Sequence, residues 1–156
     1  MFKFYVEKTK KATLEFLLSW DFLPNSTALM LVNEKAKKVV LEVAGEDCQM
    51  IPALITMYDG VVIDSYSVVN ITTRKKLLNE KESVLWPEEE QYYWCKNKDY
   101  KECYYDKECL GESNLVRADH RPIFLCSEKF RRAVLDAGLK GLEFNKSRAG
   151  IHFFLD

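Results

Sequence analysis

The sequence predicts an α+β fold in which two strand-helix-strand units contribute to a mixed sheet and their helices pack against it. Three observations predict it. Stretches with the two-residue period of strands alternate with stretches of helical period. The turn dipeptide Asp59-Gly60 separates two apolar runs, and a strand-and-helix pattern from the first third of the chain returns without gaps in the last.

Taken in order, Phe2, Phe4 and Val6 fall on one side of residues 2–6, the pattern of a half-buried strand, and residues 8–20 then read as helical. Pro24 and Asn25 interrupt. Leu29-Met30-Leu31-Val32 is a short apolar strand, and Asn33 after it is a helix N-cap, because its side-chain oxygen can accept from a backbone N–H that the helix leaves unpaired. The helix covers 34–44, with Ala36, Val39, Val40 and Val43 on one face, and Gly45 stops it. Residues 49–58 are extended, and Pro52, with no N–H to give a ladder, points to an edge position. Asp59-Gly60 then joins 51–58 to 61–71 as a hairpin. A polar stretch from Thr72 to Ser83 follows, after which Leu85 and Trp86 are expected to return to the core.

The repeat is read from I-F-L-C-S-E-K-F-R-R-A-V-L-D-A, beginning at Ile123, laid on L-M-L-V-N-E-K-A-K-K-V-V-L-E-V, beginning at Leu29. Leu31/Leu125, Glu34/Glu128, Lys35/Lys129, Val40/Val134 and Leu41/Leu135 are identical. Ser127 caps the second helix as Asn33 caps the first, and L-E-F-N-K, after the breaks at Gly138 and Gly141, repeats the extended stretch. Both units are expected to lay their helices on one shared sheet.

A chain of 156 residues is predicted to form one domain, 1–156, long enough to bury about two-thirds of its unfolded surface without a disulfide or metal staple. The net charge of −1 argues against a dedicated nucleic-acid binder, which draws most of its affinity from Lys and Arg. No apolar run approaches the roughly 18 to 20 residues that cross a bilayer, so no membrane partner is expected, and the start lacks a signal peptide's apolar stretch. The expected location is the cytoplasm. Cys48, Cys95, Cys103, Cys109 and Cys126 form an odd set, read as reduced thiols.

The motifs of phosphate loops, nucleophile elbows, zinc proteases and dinucleotide folds are absent. His120 and His152 are the only histidines. A catalytic or metal role for His120 is weighed against an ordinary exposed histidine, and His152 in I-H-F-F-L reads as a strand residue. Cys95, Cys103 and Cys109 share one short segment, but none are two to four residues apart, as paired structural zinc ligands are. Cys126 reads as a small buried hydrophobe. No catalytic residue, metal ligand or cofactor is assigned.

Composition shifts between Trp86 and Leu110, which hold five of the eight tyrosines, two of the three tryptophans, seven acids and four lysines. Tyr and Trp pair a large apolar face with a polar tip and anchor protein interfaces at low entropy cost. Acids around them steer a basic partner. Trp86, Glu88, Glu89, Tyr92, Tyr93, Trp94, Tyr100, Tyr104 and Tyr105 are therefore the candidate partner-binding residues, against the alternative that the rings complete the core beneath a solvated charged face.

The helix start Glu34-Lys35, the M-I-P stretch Met50 to Pro52, Y-S-V-V-N-I from Tyr66, K-E-S at Lys81 to Ser83, and I-F-L-C-S-E-K-F with G-L-K-G-L-E-F at the end occur in an order that resembles the immunity proteins of bacterial polymorphic toxin systems. The resemblance is to the families numbered eleven and forty-three, strongest over residues 29–83 and 115–144. It implies a cytoplasmic, non-enzymatic protein that binds and blocks a cognate toxin domain, and it carries over no catalytic residues. Asn33 departs from the family's serine, and the segment 86–110 has no counterpart in it, which makes that segment the place for partner-specific contacts. A small metal-dependent enzyme using His120 with the cysteines, and a generic adaptor, are the alternatives.

Overall fold

The computed structural model describes residues 1–9, 12–26, 29–85, 100–105, 107–119, 124–146 and 152–154. The first half gives β1 (Phe2–Tyr5), α1 (Leu14–Leu18), β2 (Phe22–Leu23), β3 (Met30–Asn33), α2 (Glu34–Ala44), β4 (Cys48–Thr56) and β5 (Val62–Ile71). The second gives β6 (Arg74–Lys75), β7 (Val84–Leu85), β8 (Tyr100–Glu102), a 3-10 turn at Lys107–Leu110, β9 (Leu115–Ala118), β10 (Phe124–Cys126), α3 (Glu128–Asp136), β11 (Phe144–Lys146) and β12 (His152–Phe154).

The α+β class holds, and both strand-helix-strand units are present. They do not share one sheet: each builds its own, in the orders β1-β4-β5-β3-β2 and β11-β12-β10-β9-β6, while β7 and β8 form a separate ribbon. The reason is local pairing. In the first unit the hairpin β4-β5 returns at once beside β3, so β3 is saturated by β5 on one side and β2 on the other. The parallel pairs β1-β4 and β6-β9 make both sheets mixed.

The hairpin turns where the sequence places it. Gly60 has φ +89, its N–H donates to the Met57 carbonyl (2.9 Å), and Val61 N–H donates to Asp59 Oδ1 (3.2 Å). Two details differ from the expectation. The first helix is only Leu14–Leu18, capped by Thr13, instead of most of 8–20. Strand β4 is interior, between β1 and β5, but the pairing with β1 begins at Ala53, so Pro52 stands just beyond it and needs no N–H on that side.

Both N-caps form as predicted. Ala36 N–H donates to Asn33 Oδ1 (2.9 Å) and Phe130 N–H to Ser127 Oγ (3.2 Å). Helices α2 and α3 lie on the inward faces of the two sheets and pack on one another. Ala36, Val40 and Ala44 meet Phe130 and Val134 in a cluster that also takes Met30, Val32, Val69 and Ile71 from the first sheet and Leu115, Phe124 and Cys126 from the second. Strand alternation sends the neighbours of these residues outward. Leu31 and Val68 lie on the first sheet's outer face, Val116 and Leu125 on the second's.

The outer faces are covered differently. On the first, Leu17 of α1 packs on Ile55, Met57, Ile63 and Tyr66, whose hydroxyl reaches the carbonyls of Leu17 (2.9 Å) and Trp20 (2.7 Å). On the second, Leu77, Leu78, Tyr105 and Leu110 cover Val116, Ala118 and Leu125. Leu77 is 1% exposed, so the polar stretch after Thr72 contains a core anchor worth about 1.5–3 kcal/mol of burial. Leu85, by contrast, does not return to the core: it is 41% exposed.

Candidate partner-binding surface

The aromatic and acidic segment is carried on a stem whose two arms are 77–85 and 100–105. Val84 pairs with Glu102 and Leu85 with Tyr100 in the antiparallel ribbon, and Leu78 bridges Tyr105 below it. Between these levels the polar side chains tie the arms together. Asn79 N–H donates to the Tyr104 carbonyl (2.8 Å), Tyr104 N–H to Ser83 Oγ (3.0 Å), and Ser83 Oγ–H to the Asn79 carbonyl (2.6 Å). Asn79 Oδ1 accepts from Lys81 N–H (3.1 Å) and Glu82 N–H (3.3 Å), which closes the turn in the first arm. An Asn and a Ser in K-L-L-N-E-K-E-S are thus local backbone partners, as these residue types are in turns.

Of the candidate residues, Trp86, Glu88, Glu89, Tyr92, Tyr93 and Trp94 lie outside the described residues. Tyr100 opens β8, opposite Leu85. Tyr104 is half-buried. Tyr105 must be corrected: at 4% exposed it belongs with Leu77, Leu78 and Leu110 in the outer core of the second sheet, so its ring fastens the stem and is not a contact surface. The ribbon itself supplies two apolar groups, Val84 at 44% exposure and Leu85, expected in the core, at 41%. The first arm carries the pair Lys76 Nζ to Glu80 Oε1 (2.8 Å) and the exposed Glu82, and the Lys75 ammonium donates to the Leu110 carbonyl, holding the 3-10 turn against β6.

Two clefts flank the shared interior. One, of about 670 Å³, is mainly apolar, between Trp20, Phe22 and Leu29 on one side and Phe124, Leu139 and Leu142 on the other. The other, of about 610 Å³, follows the last turn of α2 and is acidic, with exposed Glu42, Glu46 and Glu112 at its rim. The Asp47 carboxylate beneath it is engaged, accepting from Asn114 N–H (2.7 Å), Leu115 N–H (3.1 Å) and Thr73 Oγ1 (3.1 Å). Glu42 lies in α2, Glu46 just beyond its end, and Glu112 joins them only through the fold.

The thiols are placed for packing. Cys126 is fully buried, and burial, with the Glu128 charge adding, pushes its pKa up to about 12. Cys48 donates to the Ala44 carbonyl (3.2 Å) and is raised to about 11 by burial and then by Asp47. Both stay protonated and unreactive at neutral pH. Cys103 is half-buried beside the outer core of the second sheet. His120 and the side chains of Cys95 and Cys109 are outside the described set, and His152 opens β12, a strand residue as read. Among the described residues no three His, Cys, Asp or Glu side chains gather as a metal site, and no helix is long and apolar enough to cross a membrane.

Compared with known protein families, residues 1–149 match the family model described as the immunity protein family Imm11. No curated protein matches the chain.

Proposed function

This chain belongs to the Imm11 immunity protein family, and from that premise we propose that it neutralises a cognate bacterial toxin by binding and occluding it, as a cytoplasmic protein that performs no chemistry of its own. The reading is carried by one observation beside the family match. The stem formed by residues 77–85 and 100–105 is fastened at its base by Leu77, Leu78 and Tyr105, while its upper ribbon leaves Val84 and Leu85 open to solvent.

Such an arrangement suits docking. A rigid base limits the entropy lost on binding, and apolar groups next to tyrosines and tryptophans supply contact area. Seven acids against four lysines between Trp86 and Leu110 favour a toxin surface of positive charge. Occlusion needs only surface and charge, so no nucleophile, metal or cofactor enters the proposal.

The test is co-expression with the toxin domains encoded beside its gene, scored by growth rescue and co-purification. The triple variant Tyr92→Ala, Tyr93→Ala, Trp94→Ala is expected to lose about 2–4 kcal/mol of toxin affinity. A folded triple variant with unchanged affinity moves the interface away from this segment. A wild-type chain that neither rescues growth nor co-purifies with any neighbouring toxin ends the proposal.

A further inference from the structure

The two units agree far beyond the stretch that aligns by sequence. In the first sheet Met50, Ile51 and Pro52 of β4 face Val69, Val68 and Ser67 of β5; in the second, Phe144, Asn145 and Lys146 of β11 face Phe154, Phe153 and His152 of β12. Met50 and Phe144, Ile51 and Asn145, Pro52 and Lys146 are each 94 positions apart, the offset of the two N-caps Asn33 and Ser127. Leu31 and Val32 face Val68 and Ser67 as Leu125 and Cys126 face Phe153 and His152. Phe22 and Leu23 face Val32 and Leu31 as Leu115 and Val116 face Cys126 and Leu125. Even α1 has its counterpart: Leu17 and Leu110, 93 positions apart, are each the buried leucine of the short turn that precedes β2 or β9.

The contacts between the units are reciprocal. Asp21 and Phe22, entering β2, donate their N–H groups to the Lys140 carbonyl after α3 (3.2 and 2.8 Å). Asn114 and Leu115, entering β9, donate theirs to the Asp47 carboxylate after α2 (2.7 and 3.1 Å). Asp21 stands 93 positions before Asn114, the offset of β2 and β9, and Asp47 is one position from Glu46, the equivalent of Lys140 in the 94 offset of α2 and β4. To within one position in that loop, position i of the first unit meets position j of the second and j of the first meets i of the second, the pattern of an isologous interface around a two-fold axis. The strand entry also holds its own cap in both units. Asn33 Nδ2 donates to Asp21 Oδ1 (2.9 Å), and Ser127 Oγ–H donates to Asn114 Oδ1 (2.7 Å).

We infer that this chain is a fused internal dimer, in which residues 14–71 and 107–154 are two copies of one helix-β-β-α-β-β unit, and that the surface each copy presents to the other is a protein-recognition surface whose partner is the other copy. Its centre is apolar, with Ala36 and Val40 of α2 and their equivalents Phe130 and Val134 of α3 in one buried cluster. Its two ends are the crossed clasps at Asp21–Lys140 and Asn114–Asp47. The apolar cleft reaches the first clasp at Lys140, and the acidic cleft reaches the second at Asp47 and Asn114. Residues 74–105, with the docking stem, belong to neither copy and connect them.

The test uses the full-length chain with a site-specific protease sequence inserted between Asn97 and Lys98, cut only after folding. The pieces are expected to remain together as one 1:1 species in native mass spectrometry. After unfolding in urea and dilution they are expected to refold at a rate that rises with fragment concentration. Pieces that part on cutting, or that each refold at a concentration-independent rate, overturn the proposal. In the cut protein Asp47→Ala is expected to weaken recombination at least tenfold, and Glu42→Ala, at the exposed rim of the same cleft, to leave it unchanged. Equal effects overturn the assignment of the surface. If Asp47→Ala does not fold before cutting, Asp21→Ala reads the opposite clasp by the same comparison.

Discussion

Gly141→Ala isolates the junction between the two units. Gly141 has φ +108, and a Cβ built there would stand 2.0 Å from the carbonyl oxygen of Phe22 and 2.9 Å from its carbonyl carbon. Phe22 cannot easily yield, because it is buried, paired with Val32, and bonded through its N–H to Lys140. Two costs therefore add: about 1–3 kcal/mol for a backbone conformation that side chains rarely adopt, and the displacement of a pinned carbonyl. Against them stands about 0.4–1 kcal/mol from the stiffer unfolded chain. The sum is a loss of about 3 kcal/mol or more. Gly138→Ala is the control. Its φ is +61 and nothing lies within 4 Å of the added carbon, so only the left-handed backbone counts, a net loss of about 1 kcal/mol. At roughly 2–4 °C per kcal/mol for a chain of this size, Tm should fall by about 6–12 °C in the first variant and about 2–4 °C in the second. Urea unfolding followed by circular dichroism measures both. Losses that agree within about 0.5 kcal/mol would show that the Phe22 carbonyl is free to move and that the close approach does not lock the units.

Other substitutions test other parts of the fold. Asn33→Ala and Ser127→Ala each delete an acceptor for a helix N–H and a donor to the strand entry, so each should lose about 1–2 kcal/mol in urea unfolding, while the exchanges Asn33→Ser and Ser127→Asn should restore most of it. Leu77→Ala should cost about 2–5 kcal/mol, whereas Leu85→Ala, at an exposed position, should change stability by no more than about 0.5 kcal/mol; equal losses would misplace the stem's anchor. The buried thiols predict alkaline sensitivity. The unfolded chain releases these protons near the ordinary thiol value, while the fold holds them to about 11 at Cys48 and about 12 at Cys126, so stability is full below the ordinary value and falls as pH rises toward those limits. The slope is at most about 1.4 kcal/mol per pH unit for each thiol, and Cys126→Ala should flatten it in a pH series of denaturation midpoints.

The sequence disclosed what is encoded locally. N-caps, the Asp59-Gly60 turn and the α2 and α3 faces are set by residues within a few positions of one another, and Asn33, Ser127 and Gly60 behave as their types require. Whether two such units share a sheet or build one each depends on which strand edges meet, and that is fixed by β5 returning to β3, a pairing that no single residue announces. The length of the repeat was hidden for a related reason. The offset is 94 along β3, α2 and β4 but 93 before them, and it falls to 85 in β5, where Val68 corresponds to Phe153, because the second hairpin is shorter. A gapless comparison ends where those changes begin.

The candidate surface shows the same boundary between composition and geometry. Composition sets the segment 86–110 apart from the rest of the chain, but it treats all five tyrosines alike. Geometry separates Tyr105, paired with Leu78 and sunk among Leu77 and Leu110, from Tyr100, which opens the ribbon opposite an exposed Leu85. The position of the segment follows from the repeat: residues 86–99 fall within the connection 74–105 between the two copies. Exchange of residues 86–99 between two family members should therefore transfer toxin preference without changing the unfolding midpoint by more than a few degrees, and a chimera that unfolds instead would show that this segment, too, is part of the core.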